Sequence, residues 1–183
     1  MEMSHQSGIL CHLTSLPSQK LSEGYRFVDW LRENEFSYWQ MLPLTPPDKY
    51  CSPYASPSAF AGWSDLVDSE QNVPMEEDAY WLNDWALFCA IKEAQGGKPW
   101  YEWPEPLKNR NPEALAEFDN LLNPYILEQQ AFAAEWSRLR TYANNNDIRM
   151  IGDVPIFIAH DSADVWAHRE LFQLDEDGYP TYI

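Results

Sequence analysis

The sequence predicts an α/β fold built on parallel strands, and three observations carry that expectation. Gly8-Ile9-Leu10-Cys11-His12-Leu13 is a short apolar run that stops at Thr14-Ser15-Leu16-Pro17, as a buried strand does. A helical pattern and a second apolar run follow, so the first 45 residues spell strand, helix, strand. A third run, Ile148-Arg149-Met150-Ile151-Gly152-Asp153, comes straight out of a long helical segment. Helical crossovers between successive strands imply parallel pairing.

Each element has its own signal. Ser22 is placed to cap a helix over 24–35 that turns Phe27, Val28 and Leu31 inward. Tyr38-Trp39-Gln40-Met41-Leu42 is the second strand, stopped by Pro43 and by Pro46-Pro47. Residues 45–68 form a long loop rich in Pro, Ser, Ala and aromatics, and α/β proteins place their sites on such loops. A helix over 78–95 carries Trp81, Trp85 and Phe88 at i, i+4 and i+7, with Gly96-Gly97 as its stop. Pro99, Pro104 and Pro106 argue against regular structure over 98–111. Pro112 opens a helix toward Phe118 and Leu121. Another, over 124–144, puts Phe132, Trp136, Leu139 and Ala143 on one face and ends at Asn144-Asn145-Asn146. Residues 171–174 and 179–183, joined around Asp177-Gly178, read as a β-hairpin.

Composition narrows the function. The 183 residues include 29 acidic against 12 basic side chains, a net charge of -17. That excludes nucleic acid and anionic membrane surfaces as partners, because both demand clustered Lys and Arg. An apolar share of 45% excludes a disordered acidic chain. Cys11, Cys51 and Cys89 show no disulfide or metal-ligand spacing, so a reduced, cytoplasmic protein is expected. No signal-peptide pattern opens the chain, and no apolar run approaches the roughly 18 residues of a spanning helix. Nine Trp, ten Tyr and eight Phe suit either a large aromatic core or stacking on sugar faces.

The candidate site residues lie at the ends of the strands. Asp153 closes the third apolar run, where parallel α/β and barrel enzymes place catalytic carboxylates; an acid that merely caps the next loop is the alternative. Ser52-Pro53-Tyr54, with Ser56, Ser58 and Phe60, puts hydroxyls and rings in the loop after the second strand. Tyr combines a flat apolar face with a hydroxyl, which suits a pyranose, although inward packing fits the spacing equally. Asp161 reads as a helix N-cap with Asp164 at N3, and His12 and His168 as satisfied structural histidines. Asp175-Glu176-Asp177-Gly178 reads as a turn rather than a calcium loop. With no phosphate loop, GxSxG or metal-ligand cluster, neither a metal nor any other cofactor is expected.

Several of these stretches together resemble one family. They are 8–17, Tyr25-Arg26-Phe27-Val28-Asp29-Trp30-Leu31, 38–44, Ser52-Pro53-Tyr54, Ser58-Ala59-Phe60-Ala61-Gly62, Gly96-Gly97-Lys98-Pro99-Trp100, Ile151-Gly152-Asp153-Val154-Pro155-Ile156-Phe157, and Asp161-Ser162-Ala163-Asp164-Val165-Trp166. In order and wording they are similar to the start of the amylomaltases, the 4-α-glucanotransferases of glycoside hydrolase family 77 in the α-amylase clan. The resemblance implies a (β/α)8 barrel with helical insertions and no metal. It implies transfer of α-1,4-glucan segments between maltooligosaccharides by a retaining, two-carboxylate mechanism. It makes Asp153 the aspartate that holds sugar hydroxyls, Tyr54 the ring stacked on that sugar, and Ser52 its neighbour.

The resemblance also divides the chain. Residues 1–68 become the start of the barrel with its substrate loop, 69–145 a shortened helical insertion, and 146–183 the third strand with the start of the next insertion. The family's Arg-x-Asp-His nucleophile motif and its acid/base Glu are not in this sequence. The expectation is an N-terminal portion with strands one to three, inactive alone, with a second chain completing the barrel as one expected partner. The competing readings are a non-catalytic glucan-binding fragment, one part of a split enzyme, and a hydrolase of the same clan. The sequence is also shorter than the family pattern between Pro17 and Tyr25 and between Asp68 and Trp81.

Overall fold

Strands β1 (Gly8–Leu10), β2 (Tyr38–Gln40) and β3 (Arg149–Ile151) form one parallel sheet in the order β1-β2-β3. They are seen in a computed structural model, which describes residues 6–68 and 79–182. The register aligns Ile9, Trp39 and Met150 in one row and Leu10, Gln40 and Ile151 in the next. Successive residues point to opposite faces, so these rows belong to different sides of the sheet.

Helix α1 (Glu23–Glu33) makes the crossover from β1 to β2. The remaining helices are α2 (Leu82–Ala94), α3 (Glu105–Lys108), α4 (Pro112–Ala116), α5 (Asn123–Asn145) and α6 (Ala163–Ala167). Helices α1 and α5 end in the same way before their strands. Glu35 and Asp147 turn left-handed, both at φ 60°. The next amides, Phe36 and Ile148, each bond back to the carbonyls of Leu31 and Ala143 at 3.0 Å. This six-to-one bond is the Schellman ending, which turns the chain out of the helix and into the strand.

The sheet's packed face is built around Trp39, which is wholly buried with Val28, Leu31, Leu139 and Ala143. Its indole N–H donates to Cys11 O at 2.7 Å, so no polar atom of the ring is left unpaired. A second core joins α2 and α6 through Phe88, Trp100, Trp103 and Trp166. These three indoles are paired: Trp100 to His160 O at 2.6 Å, Trp103 to Lys98 O at 2.9 Å and Trp166 to Leu107 O at 3.1 Å. Most of the aromatic excess is therefore core.

Several expectations need correction. Ser22 is itself helical (φ -61°, ψ -32°), and its side chain caps nothing. All three strands are shorter than their apolar runs, and after β1 the chain coils into a single 3-10 turn at Leu13–Ser15. The proline-rich 98–111 stretch holds a 3-10 turn at Trp100–Glu102 and helix α3, because Pro106 falls in the first turn, where no amide is required. Helix α2 begins at Leu82, and its expected start at 78 lies outside the described residues. The hairpin reduces to one antiparallel bridge, Leu174 to Pro180, with Gly178 left-handed at φ 88°. Asp161 is not the cap of α6. Ser162 is, its hydroxyl accepting the Val165 amide at 3.2 Å. His12 is not satisfied: its Nδ1 is sealed off with no partner among the described residues, and burial pushes its pKa down.

Candidate functional site

The part of the loop after β2 that runs from 45 to 62 is held at several points. At its tip, Asp48 Oδ1 accepts the amides of Tyr50 at 2.9 Å and Ser52 at 2.8 Å. That Asx-type closure holds Cys51 left-handed at φ 63°. Further on, buried Ser58 accepts the amides of Phe60 and Ala61. Gln129 of α5 then clamps Gly62 twice, accepting its amide at 2.8 Å and donating to its carbonyl at 2.9 Å. Gly62 is required, because a Cβ there would stand 2.0 Å from the Phe132 ring. From the other side, Asp164 accepts the Ala59 amide at 3.0 Å, and the Ala163 amide donates to Pro57 O at 2.8 Å.

This framework aims Tyr54. The ring lies on a 3-10 turn, Pro53–Ala55, whose Pro53 carbonyl accepts the Thr45 hydroxyl at 2.9 Å. The Tyr54 hydroxyl donates to Asp153 Oδ2 at 2.7 Å. Asp153 Oδ1 accepts the Val154 amide at 2.8 Å, which fixes the carboxylate plane. The two residues stand 99 positions apart in the chain, yet they meet beyond the carboxyl ends of neighbouring strands. Both are exposed, Tyr54 at 43%. The bond to Asp153 raises the Tyr54 pKa, so the phenol stays a neutral donor through the physiological range. Each carboxylate oxygen keeps a lone pair, and the ring keeps a face, for a polyhydroxylated ligand.

Of the residues read from the sequence as site candidates, Tyr54 and Asp153 are brought together directly. Ser52 stands two residues from Tyr54 and is fixed through its backbone by Asp48. Asp161 is committed elsewhere, pairing with Lys92 at 2.5 Å and accepting the Trp100 amide at 3.2 Å. Asp164 holds the loop backbone, and burial pushes its pKa up. His168 is half-buried, 4.0 Å from Asp84 and 3.5 Å from Glu170. Sequence reasoning missed Gln129, Asp48 and Asp164 as the residues that position the loop. Nothing near Gln129 and Asp164 in the sequence signals partners at separations of 67 and 105 residues, whereas Asp48 acts locally, on the amides two and four residues ahead. Among the described residues no group of three or more His, Cys, Asp or Glu could hold a metal ion, and no helix is long and apolar enough to cross a membrane.

Fold and site together define a parallel α/β protein whose open site lies at the carboxyl ends of its strands, where such proteins bind ligands. The sequence profile of glycoside hydrolase family 77, described as 4-alpha-glucanotransferase, matches residues 11–73 and 70–180, and the chain belongs to that family. It is 36% identical to the 4-alpha-glucanotransferase of Aquifex aeolicus, over 97% of this chain and 48% of that protein. It is 35% identical to that of Thermus thermophilus, over 100% of this chain and 49% of the relative. Amylomaltase from Streptococcus agalactiae, solved in complex with acarbose, superposes with a TM-score of 0.86 at 32% identity, over 96% of this chain and 48% of that one. The chain thus spans about half the length of the curated relatives it matches. The Aquifex alignment runs over 234 positions, so that relative carries additional residues within the matched region.

Proposed function

We propose that this chain forms the start of a (β/α)8 barrel and supplies the glucan-holding part of a 4-α-glucanotransferase. Tyr54 is the ring on which a glucose unit stacks, Asp153 the carboxylate that accepts its hydroxyls, and Ser52 a neighbouring hydroxyl. The observation that carries this reading is the 2.7 Å bond between Tyr54 and Asp153, which sets a ring and a carboxylate side by side on two adjacent strand ends. The names of the relatives support the reaction, and the acarbose bound to the Streptococcus agalactiae amylomaltase supports a glucan as the ligand. Three free cysteines fit a reducing compartment, and we place the protein in the cytoplasm.

The chemistry of the whole family divides at this point. Retaining glucan transfer needs one carboxylate to attack the anomeric carbon and a second to protonate the leaving oxygen. Asp48, Asp161 and Asp164 are all engaged with backbone amides or Lys92, which leaves Asp153 as the carboxylate joined to Tyr54. Its two hydrogen bonds, to the Tyr54 hydroxyl and the Val154 amide, fix it as a grip on hydroxyls. The 183-residue chain is therefore expected to bind maltooligosaccharide without turning it over. Calorimetry with maltoheptaose tests the binding, and Tyr54→Ala removes the part of it that belongs to the Tyr54 and Asp153 site. Incubation with maltotriose tests the turnover: glucose together with longer oligomers would show that this chain carries the full machinery, and glucose without longer products would make it a hydrolase. A native mass well above 21.3 kDa with a second polypeptide present would identify a chain that completes the barrel.

A further inference from the structure

The opposite end of the sheet carries a second concavity. Because β2 and β3 are parallel neighbours, the turns that deliver α1 and α5 into them lie side by side. Between the turns is an open pocket of about 290 Å³ lined by Arg32, Glu35, Phe36, Asn145, Asn146 and Asp147. That volume is at the small end of ligand pockets, which run from roughly 300 to 1,000 Å³. Its backbone walls are fixed by the two Schellman bonds and by the Ser37 carbonyl, which accepts the Arg149 amide at 2.9 Å.

The side chains are less committed than the walls. Arg32 Nη1 donates to Asn146 Oδ1 at 2.6 Å, and Asn146 Nδ2 donates to Tyr142 O at 2.9 Å, which orients both groups. The Glu35 and Asp147 carboxylates and the Asn145 amide line the pocket with no hydrogen-bond partner among the described residues. Both acids occupy left-handed positions, where glycine is the favoured residue, and both sit beside the partial negative charge of a helix C-terminus. Stability alone does not select carboxylates there. Apolar surface flanks the polar lining: Phe36 stacks on Trp30 at 5.7 Å, and Trp30 is 45% exposed.

The donor set chooses the ligand. Two carboxylates and a net charge of -17 oppose an anion, and the Arg32 guanidinium opposes a cation. A neutral ligand with many hydroxyls uses every group: it donates to Glu35 and Asp147, accepts from Arg32, and does both with the asparagine amides. We infer that the pocket between the α1–β2 and α5–β3 turns is a second glucan-binding site, which holds a non-reacting stretch of α-glucan at the end of the sheet away from Tyr54 and Asp153. The inference rests on the glucan reading of the first site, and the two are separable by experiment.

The test is an NMR titration of the isotopically labelled 183-residue chain with maltoheptaose, followed at backbone amides. In the unsubstituted chain, shifts are expected both around 52–60 with 151–154 and around 32–37 with 144–147. In Tyr54→Ala the second set persists at the same half-saturation. In Arg32→Ala and Asn145→Ala that half-saturation rises about tenfold, the scale of one hydrogen bond to a charged or amide group. Both substitutions are on exposed side chains, and unchanged amide dispersion elsewhere verifies the fold. Shifts confined to 52–60 and 151–154, or a half-saturation indifferent to Arg32→Ala and Asn145→Ala, overturn the second site and leave the first. Absence of shifts at both ends overturns the second site and the glucan reading beneath it.

Discussion

On one face of the sheet Ile9, Trp39 and Met150 pack against α1 and α5, and Trp39 loses all contact with solvent; on the other, Leu10 and Ile151 stay 61% and 42% exposed. Beyond β3 the apolar side chains continue uncovered, with Val154, Ile156 and Phe157 at 78%, 90% and 84% exposure. The uncovered row carries Gln40 in its centre, yet Leu10 and Ile151 on its outer strands are as aliphatic as Ile9 on the covered one. Continuous apolar runs of that kind belong to parallel strands buried on both sides. What separates the faces is cover: α1 and α5 lie on one, and no described element lies on the other. The apolar runs of the strands suit a core on both sides of the sheet, while the described elements cover one side.

The largest effect is expected at the centre of the covered face. Trp39→Ala removes a wholly buried indole and its bond to Cys11 O, and should cost about 3–5 kcal/mol of stability. Chemical denaturation measures it, and a loss below about 1 kcal/mol would mean the packed face is not the stabilising one.

A smaller effect links that core to the site. Gly62→Ala would drive a Cβ to within 2.0 Å of the Phe132 ring, a strain of about 1–3 kcal/mol unless the loop moves. Movement would break the Gln129 clamp, so maltoheptaose affinity should fall together with stability. Calorimetry and denaturation on the same variant check whether the two losses coincide; a stable variant with intact binding would show that Gln129 does not position Tyr54.

These long-range clamps mark the limit of what the sequence discloses. The strand–helix–strand order and the third strand were legible, because apolar runs and prolines are local signals; Tyr54 and Asp153 were separate candidates from their own neighbourhoods, and only the family resemblance put them on one sugar. The errors were local rules overridden by tertiary partners. Asp161 sits where an N-cap is expected, but Lys92 and the Trp100 amide claim its carboxylate, and Ser162 takes the cap. Ser22 has a capping side chain, yet the Asp68 carboxylate reaches its amide first, at 3.2 Å. His12 reads as an ordinary histidine, and only the three-dimensional enclosure of its Nδ1 shows otherwise. The pocket between the two helix endings has no motif at all, because it is made by two turns more than a hundred residues apart that parallel pairing sets side by side.

Those endings give the next prediction, of opposite sign. Glu35→Gly and Asp147→Gly replace left-handed acids by the residue that conformation favours, and each should stabilise the chain by about 0.5–1 kcal/mol. Melting temperature checks the gain, and a loss would show that the carboxylates already have compensating partners.

His12 adds a pH dependence to the covered side. Burial lowers its folded pKa below the ordinary 6.5, so the unfolded chain takes up a proton that the fold refuses. Its contribution is full above pH 6.5 and is lost as the pH falls through 6.5 toward the lowered folded value. Denaturation midpoints between pH 8 and pH 5 should decline less steeply in His12→Gln than in the parent, and parallel slopes would remove His12 as the cause.

The smallest effect is expected on the uncovered face, and it is the one that decides whether that face is bare in solution. Leu10 is 61% exposed, so Leu10→Gln removes little burial and should change stability by less than about 0.5 kcal/mol. It sits in the same register row as Ile151, so Leu10→Gln with Ile151→Gln strips the aliphatic groups from both outer strands of the sheet at once. If nothing covers these strands, the double variant keeps its denaturation midpoint and only gains solubility, because an exposed apolar face beside unpaired strand edges is what drives association. If another chain lies on them, the same two substitutions desolvate polar groups inside an interface, and the native mass and the midpoint both fall. Size-exclusion chromatography at several concentrations, run beside the denaturation, separates the outcomes. A midpoint drop comparable to that of Trp39→Ala would mean the two faces are equally buried and their contrast is absent in solution.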